Sequence, residues 1–404
     1  HRKQFIAFSR RVDTPLKQGV NEIRIPTRMN TTTNGETRLI VAPSDTDADM
    51  LYATKFWAGD PFIFLQQNGK RTIVLTDLEM GRGKRTAKVD EFVSFNQLER
   101  ELQGNSKQIP SFEKVMAHFL RKRGVRSATV PANFALGYAR ELAKDNVELA
   151  MADGLFWPER NAKTDEELKL MGRALRLTET GLKRAMEVLK ASKPKGKKLV
   201  WSGKPLTSEL LRAEIDTAIL RAGGLAANTI VAGGDQACDP HERGHGPLYA
   251  NSLIIFDIFP RDMQTGYWGD MTRTVVRGRA SEAQRKLWQT VKDGQELALR
   301  EIKDGADGMQ IHKAIQALFK KRGYPTEVRK GVNVGFFHGT GHGLGLDIHE
   351  FPRVQKVILK ERQVVTVEPG LYYPGLGGVR IEDVVVVTKT GSKILSNFPK
   401  QLEI

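Results

Sequence analysis

The feature that most constrains this chain is a set of acidic residues placed in or beside apolar strands of its C-terminal half. Asp257 lies inside the apolar run of residues 253–259, and Asp270 precedes a second such run. Glu368 ends a third strand, and Glu382 lies in the next apolar stretch. A buried carboxylate without a partner is costly, and two of them about 4 Å apart repel by about 4 kcal/mol at an effective dielectric of about 20. The fold must therefore bring positive charge to these acids.

The spacing of the acids predicts which of them lie together. A turn between Asp257 and Asp270 forms a hairpin that brings the two carboxylates close to each other. Strand side chains repeat every two residues, so Arg380 and Glu382, predicted in one strand, lie on the same face. The sequence thus predicts one site built from separate strands.

A glycine-rich segment, residues 338–350 with the sequence HGTGHGLGLDIHE, adds histidines to this set. It contains four glycines and three of the chain's 8 histidines, namely His338, His342 and His349. Glycine has no side chain, so imidazoles and a substrate backbone can approach closely there. The glycines alternate singly and no βαβ unit follows, which excludes a dinucleotide-binding fingerprint.

Each of these residues alone has an ordinary structural interpretation. A strand aspartate is commonly ion-paired, a buried histidine such as His342 is commonly hydrogen-bonded, and Glu382 could simply pair with Arg380. Four carboxylates on apolar strands together exceed what such partners can neutralise. Two divalent cations would neutralise them and accept one neutral imidazole. Oxygen-rich ligation of this kind suits Mn(II), Co(II), Zn(II) or Fe(II) better than a structural zinc site.

The order Asp, Asp, His, Glu, Glu, within the motifs GDMTRT, HGTGHGLGLDIHE, TVEPG and GGVRIED, resembles that of the proline-specific metallopeptidases. These are Xaa-Pro aminopeptidase and Xaa-Pro dipeptidase (prolidase), which share the pita-bread fold with methionine aminopeptidase and creatinase. The resemblance covers roughly residues 160–404. One departure is an interval from Asp257 to Asp270 that is two residues longer than usual, around Pro260 to Gln264. We expect the hairpin turn to absorb it.

The resemblance implies an α/β chain of the α+β type with two domains. A C-terminal pita-bread catalytic domain, with a curved antiparallel sheet flanked by helices, follows a smaller mixed α/β domain like that of creatinase and prolidase. We expect domains at residues 1–157 and 158–404. In the first, residues 81–84 (GRGK) have the look of a phosphate loop, but Arg85 stands where Ser or Thr is needed, so we predict a turn.

By the same resemblance, five residues hold two divalent metal ions, with Mn(II) expected first: Asp257, Asp270, His342, Glu368 and Glu382. Asp257 would bind one ion, and His342 with Glu368 the other. Asp270 and Glu382 would bridge the pair. A hydroxide held between the ions would then attack the bond between an N-terminal residue and proline.

The resemblance also implies roles in catalysis. Glu368 would shuttle the proton from the attacking water to the leaving nitrogen. His349 and His241 would flank the substrate and stabilise the developing oxyanion. His338 would shape the proline pocket, and Arg380 would pair with a ligand carboxylate and hold it in place.

The net charge of +16 suggests nucleic-acid binding as an alternative. Many basic clusters, however, precede a glycine where a helix is predicted to end, as at residues 120–124, 220–223 and 319–323. Cations in a last turn oppose the helix dipole, and the glycine accepts the left-handed cap conformation. We therefore expect no nucleic-acid partner.

Other bulk features bear on location. No apolar run approaches the roughly 20 residues that cross a bilayer, so we expect no membrane association. The single cysteine, Cys238, and the lack of a secretory signal pattern predict a cytoplasmic protein. Because the chain begins with His1, we expect that an upstream piece has been removed or that a tag remnant remains.

Several alternatives remain within the same fold. A methionine-aminopeptidase-like exopeptidase is disfavoured by the long N-terminal domain and by the proline-type motifs. Creatinase works without metal and lacks the full carboxylate set, and non-catalytic binding proteins usually lose the ligands. His245 is the alternative to His241. The expected partners are Xaa-Pro peptides and a second copy in a homodimer, while the choice between dipeptidase and aminopeptidase stays open.

Overall fold

The structure of the chain is a computed structural model that describes residues 36–404. These residues form two compact units. The first comprises residues 36–44 and Ala53–Phe156, and the second comprises Asp45–Tyr52 and Trp157–Ile404. The boundary between residues 157 and 158 stays a prediction, and residues 1–35 of the predicted first domain lie outside the described part of the chain.

The first unit contains a mixed sheet of six strands in the order β4-β3-β2-β1-β5-β6. Strands β1, β2 and β3 are antiparallel neighbours, whereas β4, β5 and β6 join by parallel pairing. The elements up to residue 156 are β1 (Arg38–Ala42), α1 (Ala48–Thr54), β2 (Phe62–Gln67), β3 (Lys70–Leu75), α2 (Asp77–Thr86), β4 (Glu91–Ser94), α3 (Phe95–Gln103), α4 (Phe112–Lys122), β5 (Ser127–Val130), α5 (Leu136–Lys144) and β6 (Glu148–Met151). The alternation of strands and helices expected for a mixed α/β domain is present.

The prediction of a turn at residues 81–84 is wrong, because these residues lie inside helix α2. Acids in its first turn and cations in its last turn favour the helix. Gly83 is buried, and a Cβ there would lie 2.4 Å from Cδ1 of Leu75. The glycine therefore lets the helix pack closely on strand β3.

The second unit holds most of helix α1 and the helices and strands after residue 156. The helices are α6 (Asp165–Ala191), α7 (Ser208–Arg221), α8 (Glu282–Glu301) and α9 (Gly308–Lys321). The strands are β7 (Lys193–Lys195), β8 (Lys198–Trp201), β9 (Lys204–Pro205), β10 (Gly224–Leu225), β11 (Ile230–Gly233), β12 (Leu253–Ile258), β13 (Arg261–Asp262), β14 (Met271–Val276), β15 (Glu327–Arg329), β16 (Val332–Val334), β17 (His342–Gly343), β18 (Glu350–Arg353), β19 (Val364–Val367), β20 (Gly370–Tyr373), β21 (Gly377–Arg380), β22 (Asp383–Val387) and β23 (Ser392–Ile394). Short 3-10 turns cover Pro158–Asn161, Gly234–Cys238 and Val354–Lys356.

Helices pack against the antiparallel strands of this unit in two apolar clusters. One apolar cluster joins α6 and α7 to the β11-β12-β14 sheet, with Leu182, Ile215 and Phe256 among its members. A second cluster joins α8 and α9 to the β18-β17-β19-β22-β23 sheet, with Ile315 and Val365 among its members. Burying apolar faces of strands and helices against each other is what holds such layers together.

Helix ends follow the local sequence. Thr164 and Glu167 form a reciprocal capping box at the start of α6, as the acidic first turn predicts. At the other end of α4 and α9 the basic residues lie in the last turn, and the following glycines, Gly124 and Gly323, have positive φ. These cations therefore stabilise the C-terminal ends of the two helices. Within residues 36–404, none of the helices has the length and apolar character that a membrane crossing needs.

The β12–β14 hairpin predicted between Asp257 and Asp270 is present. Its register pairs Asp257 with Thr272 and Ile258 with Met271. Asp270 directly precedes β14 and, two residues before Thr272, shares the face of Asp257. The longer interval lies in the connection of residues 259–270, outside the paired strands.

The predicted position of Glu382 inside a strand is wrong. Strand β21 ends at Arg380 and β22 begins at Asp383, so Glu382 lies in the break between them. The chain changes sheets there, because β21 pairs with β20 whereas β22 pairs with β19. The backbone N–H of Glu382 donates to Thr272 O at 3.1 Å, so the break is anchored on β14.

Candidate metal centre

Three of the predicted ligands meet at one point of the second unit. Asp270, His342 and Glu382 are buried, and each offers one ligand atom within 4.8 Å of the other two. The Nε2 atom of His342 lies 3.7 Å from Oδ2 of Asp270 and 3.4 Å from Oε1 of Glu368. Four of the five predicted ligands, taken from four separate stretches of chain, therefore share one small volume.

The tautomer of His342 is fixed by the backbone. Its Nδ1–H donates to the carbonyl oxygen of Gly343 at 3.0 Å, which leaves Nε2 with a free lone pair. Burial lowers the pKa of His342 to about 3, so the ring is neutral at physiological pH. Nε2 and the carboxylate oxygens around it are all acceptors, and a cation between them would turn this repulsion into ligation.

Asp257 joins the cluster through a shared hydroxyl. Oγ1 of Thr272 lies 2.9 Å from Oδ1 of Asp257 and 2.8 Å from Oε2 of Glu382. A hydroxyl has one proton, so it donates to one carboxylate at a time. A second threonine acts similarly, because Thr366 accepts from the backbone N–H of His342 and donates to Glu368 at 3.1 Å.

Arg380 pairs with Asp257 and not with Glu382. Its Nη2 donates to Oδ2 of Asp257 at 2.8 Å, and its Nη1 donates to the hydroxyl of Tyr372 at 3.0 Å. That hydroxyl lies 2.8 Å from Nε2 of His338, whose Nδ1–H donates to Gly339 O at 2.9 Å. Nε2 of His338 therefore accepts the tyrosine proton, and a continuous hydrogen-bonded chain joins His338 to Asp257.

The remaining two predicted histidines lie at the edge of the cluster. The rings of His349 and His342 meet edge to face, with centroids 4.4 Å apart. His241 is exposed, and the carbonyl of its neighbour Pro240 accepts from Nη2 of Arg380 at 3.4 Å. Burial lowers the pKa of His349, and the charges of Arg353 and His241 lower it further.

Three acids of the cluster, Asp270, Glu368 and Glu382, have raised pKa values. Burial raises the pKa of Asp270 and of Glu382 well above the ordinary range, and the neighbouring carboxylates raise both further. Burial also raises the pKa of Glu368 to about 7, against the opposing charge of Arg380. Raised pKa values of this kind are expected where buried carboxylates lie close together with little positive charge near them.

The donor set fits the two divalent ions that the family resemblance implies. Within residues 36–404, the guanidinium of Arg380 is the cationic group hydrogen-bonded to these acids, through Asp257. Four carboxylates and one neutral imidazole facing a common volume are oxygen-rich ligands with a single nitrogen. Their side chains therefore match the charge and the chemistry of two divalent cations.

The glycines of residues 338–345 let other parts of the protein approach the backbone closely. A Cβ at Gly341 would lie 1.9 Å from the carbonyl oxygen of Thr366, and one at Gly343 would lie 2.3 Å from that of Phe351. One at Gly345 would lie 2.6 Å from both carboxylate oxygens of Glu350. The expectation that glycines give imidazoles and substrate room is therefore refined, since backbone and a carboxylate fill these spaces.

Comparisons with known proteins agree with this geometry. Residues 169–389 match the sequence profile of metallopeptidase family M24. The chain belongs to this family. It is 28% identical over 314 residues to the Xaa-Pro dipeptidase of Pyrococcus horikoshii, covering 76% of this chain and 84% of that one. It is 31% identical over 264 residues to the Xaa-Pro dipeptidase of Pyrococcus furiosus, covering 64% and 70%.

Solved structures show the same fold as this M24 metallopeptidase. The X-Pro aminopeptidase of Thermotoga maritima superimposes with a TM-score of 0.76 at 22% identity, over 91% of this chain and 97% of that one. The prolidase of Pyrococcus furiosus gives 0.73 at 23% identity, again over 91% and 97%. The predicted family, the pita-bread fold with its preceding α/β domain, and an enzyme of the metallo-exopeptidase class are confirmed.

Sequence reasoning missed three side chains that organise the site of this M24 metallopeptidase, namely Thr272, Thr366 and Tyr372. The signal for the threonines was present, since Thr272 follows Asp270 by two residues and Thr366 precedes Glu368 by two. In a strand that spacing puts them on the face of the acids. Tyr372 gave no such signal, because its partners Arg380 and His338 come from other segments.

Proposed function

We propose that the chain hydrolyses the peptide bond between an N-terminal residue and a following proline, with two divalent metal ions held by Asp257, Asp270, His342, Glu368 and Glu382. The observation that carries this proposal is the cluster of buried carboxylates with raised pKa values around the free Nε2 of a neutral imidazole. The proline specificity is supported by the relatives named Xaa-Pro dipeptidase. Mn(II) is the proposed resident metal.

The division of roles among the ligands follows the cluster. Asp257 would hold one ion, and His342 with Glu368 the other, while Asp270 and Glu382 bridge the two. Bound divalent ions supply Lewis acidity, which acidifies water and polarises a carbonyl group. Two sets of contacts support this order: Thr272 lies against both Asp257 and Glu382, whereas His342 lies close to Asp270 and Glu368.

Glu368 is the proposed proton carrier. Its carboxylate follows strand β19 and touches both the imidazole of His342 and the hydroxyl of Thr366. Burial raises its pKa to about 7 in the metal-free chain. Its place beside the imidazole of His342 suits a carboxylate that takes a proton from water and passes it to a leaving nitrogen. An amide to proline has no N–H and its nitrogen must receive that proton before the chain leaves.

The histidines at the edge would bind and orient the substrate. His349 and His241 are proposed to donate to the scissile carbonyl oxygen as negative charge develops on it. His338 is proposed to form the wall of the proline pocket, and aromatic rings of Phe336, Phe337 and Tyr372 lie around it at centroid distances of 5.1, 6.3 and 5.5 Å. Such a surface suits a saturated five-membered ring better than an extended backbone.

The test of this proposal is metal-dependent cleavage of defined peptides. Protein freed of metal with a chelator is expected to lose hydrolysis of Xaa-Pro, and Mn(II) or Co(II) to restore it. Ala-for-Pro peptides serve as the control for specificity, and Met-Ala peptides test the methionine-aminopeptidase alternative. Comparing Xaa-Pro with Xaa-Pro-Yaa decides between dipeptidase and aminopeptidase. Full activity in the chelated protein, or cleavage indifferent to proline, would refute the proposal.

By the same family resemblance we propose a homodimer. Sedimentation equilibrium of the full chain measures this directly, and the expected mass is twice that of the 45.2 kDa chain. A monomer at all concentrations would contradict it and would leave the proposed chemistry untouched.

A further inference from the structure

A second group of buried charges lies beneath the loop that carries His349. This loop, residues 344–349, joins strands β17 and β18 of a hairpin whose register pairs Gly343 with Glu350. Glu350 is 7% exposed, and two cations, Arg160 at 5% and Lys163 at 3%, are buried with it. None of these three residues has a place in the proposed chemistry.

Both carboxylate oxygens of Glu350 accept hydrogen bonds. Its Oε1 accepts from the backbone N–H of Leu346 at 2.8 Å and of Asp347 at 3.1 Å, and also from Nη2 of Arg160. Its Oε2 accepts from Nζ of Lys163 at 2.7 Å. Three of these four donors converge on Oε1 and one lies at Oε2, an arrangement that an ionised carboxylate with its two acceptor oxygens can accept. A neutral amide would offer one oxygen and would turn N–H groups towards a cation.

The two cations also have partners besides Glu350, and one of them, Asp347, lies in the loop itself. Arg160 donates to Oδ1 of Asp49 at 2.7 Å and to Oδ2 of Asp347 at 2.9 Å. Lys163 donates to the carbonyl of Arg160, and its own backbone N–H donates to Arg362 O at 2.9 Å. The two cations therefore hold the Glu350 carboxylate in place, and the carboxylate in turn accepts from two backbone N–H groups of the loop.

The other side of the loop is fixed to the strand of Asp270. The backbone N–H of Trp268 donates to Gly345 O at 2.8 Å, and its indole N–H donates to Leu346 O at 3.0 Å. Trp268 lies two residues before Asp270. The loop is thus hydrogen-bonded to Trp268 on one side and to the Glu350 carboxylate on the other. It ends at His349, whose ring contacts that of His342.

We propose that Glu350, charged and held by Arg160 and Lys163, is a positioning residue that sets the 344–349 loop and through it the place of His349. This inference rests on the proposed function, in which His349 faces the substrate. The carboxylate supplies the acceptors that the loop N–H groups need, and the cations keep it ionised and immobile in a buried place. Glu350 does not touch the substrate.

Amide hydrogen exchange of the metal-loaded full chain tests the placement of the loop. In Glu350→Ala, exchange at Leu346 and Asp347 is expected to accelerate about tenfold or more, because both lose a charged acceptor. In Glu350→Gln the acceleration is smaller, since one oxygen remains. The double change Lys163→Met with Glu350→Gln removes the cation left without its partner and is expected to restore part of the protection.

Activity and metal content of the same proteins test what the placement does. We expect kcat on Xaa-Pro to fall about 10- to 100-fold in Glu350→Ala, less in Glu350→Gln, and to recover in the double variant, with metal content unchanged. The matched control is Asp216→Asn, which neutralises a half-buried acid of helix α7 that accepts from Thr229 at 2.7 Å. It is expected to keep wild-type exchange in the loop and wild-type kcat.

Unchanged exchange at Leu346 and Asp347 in Glu350→Ala would overturn the proposal, and so would faster exchange with wild-type kcat. Loss of metal in step with kcat would overturn it as well, because Glu350 would then act on the ligands. A wild-type protein inactive on Xaa-Pro peptides would instead refute the proposed function and the catalytic part of this inference. The exchange pattern would still decide whether Glu350 holds the loop.

Discussion

Two groups of buried acids lie side by side in the second unit and differ in the positive charge that faces them. Asp383 is 2% exposed and receives Arg273 at 2.8 Å, Lys400 at 2.6 Å and the hydroxyl of Ser396 at 2.7 Å. Burial alone would raise its pKa, but Arg273 and Lys400 outweigh burial and lower it. Glu350 behaves in the same way with Lys163 and Arg160.

Glu382, the residue before Asp383, shows the opposite. It is also 2% exposed, yet burial and the charges of Asp270, Glu368 and Asp257 raise its pKa well above the ordinary range. Equal burial with opposite shifts shows that the surrounding charge decides the state of each carboxylate. Cationic side chains of the protein neutralise the acids of the first group, Asp383 and Glu350. The proposed metal ions would neutralise the acids of the second group.

The largest expected effect comes from removing one acid of the second group. Asp270→Ala is expected to lower kcat/KM on Xaa-Pro by about a thousandfold or more, because it would remove the proposed bridging ligand and with it the proposed activation of water. Metal analysis of the purified protein should show at least one ion missing. Thr290→Val, a buried change on helix α8, serves as the control for handling and folding. Full activity in Asp270→Ala would refute the ligand assignment.

Removing a cation from Asp383, an acid of the first group, should lower the free energy of unfolding. Arg273→Met takes away one of the two cations at Asp383, leaving Lys400, and removes donors from the carbonyls of Thr272 and Glu382. Loss of one partner of a buried ion pair costs about 3–5 kcal/mol, measured as the free energy of unfolding in denaturant. Lys400→Met, at a more exposed position, should cost less. A loss below about 1 kcal/mol in Arg273→Met would show that the pair is not stabilising, as exposed pairs often are not.

The pH dependence of stability should differ with and without metal. In the metal-free protein the pKa of Glu368 is raised from 4.5 to about 7 on folding, and those of Asp270 and Glu382 are raised too. The folded state then binds more protons than the unfolded state, so stability falls as pH rises from about 5 through 7, at roughly 1.4 kcal/mol per unit and fully shifted group.

Thermal unfolding between pH 5 and 8 measures this difference. The Tm of the metal-free protein should decline across that window, and saturating Mn(II) should remove the decline. The lowered pKa values of Glu350 and Asp383 contribute stability that is present above their unfolded values and is lost only in acid, with or without metal. Identical pH profiles for the two forms would contradict the account of the second group.

The smallest expected effect concerns the hydroxyl between Asp257 and Glu382. Thr272→Val keeps every acid and the shape of the strand but removes the hydroxyl that lies within hydrogen-bond distance of both carboxylates. Metal affinity is expected to fall about 10- to 100-fold while the fold is kept. Titration of the metal-free protein with Mn(II) measures this, with Thr290→Val as the matched loss of a buried hydroxyl. Equal affinities of the two variants would exclude a role for Thr272.

Much of this arrangement was predictable from local patterns. The capping residues of helix α6 and the β12–β14 hairpin follow from signals within a few residues of each element. The turn predicted at residues 81–84 was wrong because a pair of glycines normally marks a turn. The close packing of Gly83 on Leu75, which the sequence does not show, explains why a helix contains glycine there. The break at Glu382 was missed because an apolar run does not show where a chain leaves one sheet for another.

The sequence by itself determined that acids on apolar strands need positive charge, and its motif order determined the family and the fold. Alternation along a strand is a local property, so the residues that share a face with Asp270 or Glu368 could be found without coordinates. Only the tertiary structure decided which acids are neutralised by the chain. Arg273 and Arg160 reach Asp383 and Glu350 across 110 and 190 residues, and such pairings depend on how distant elements pack.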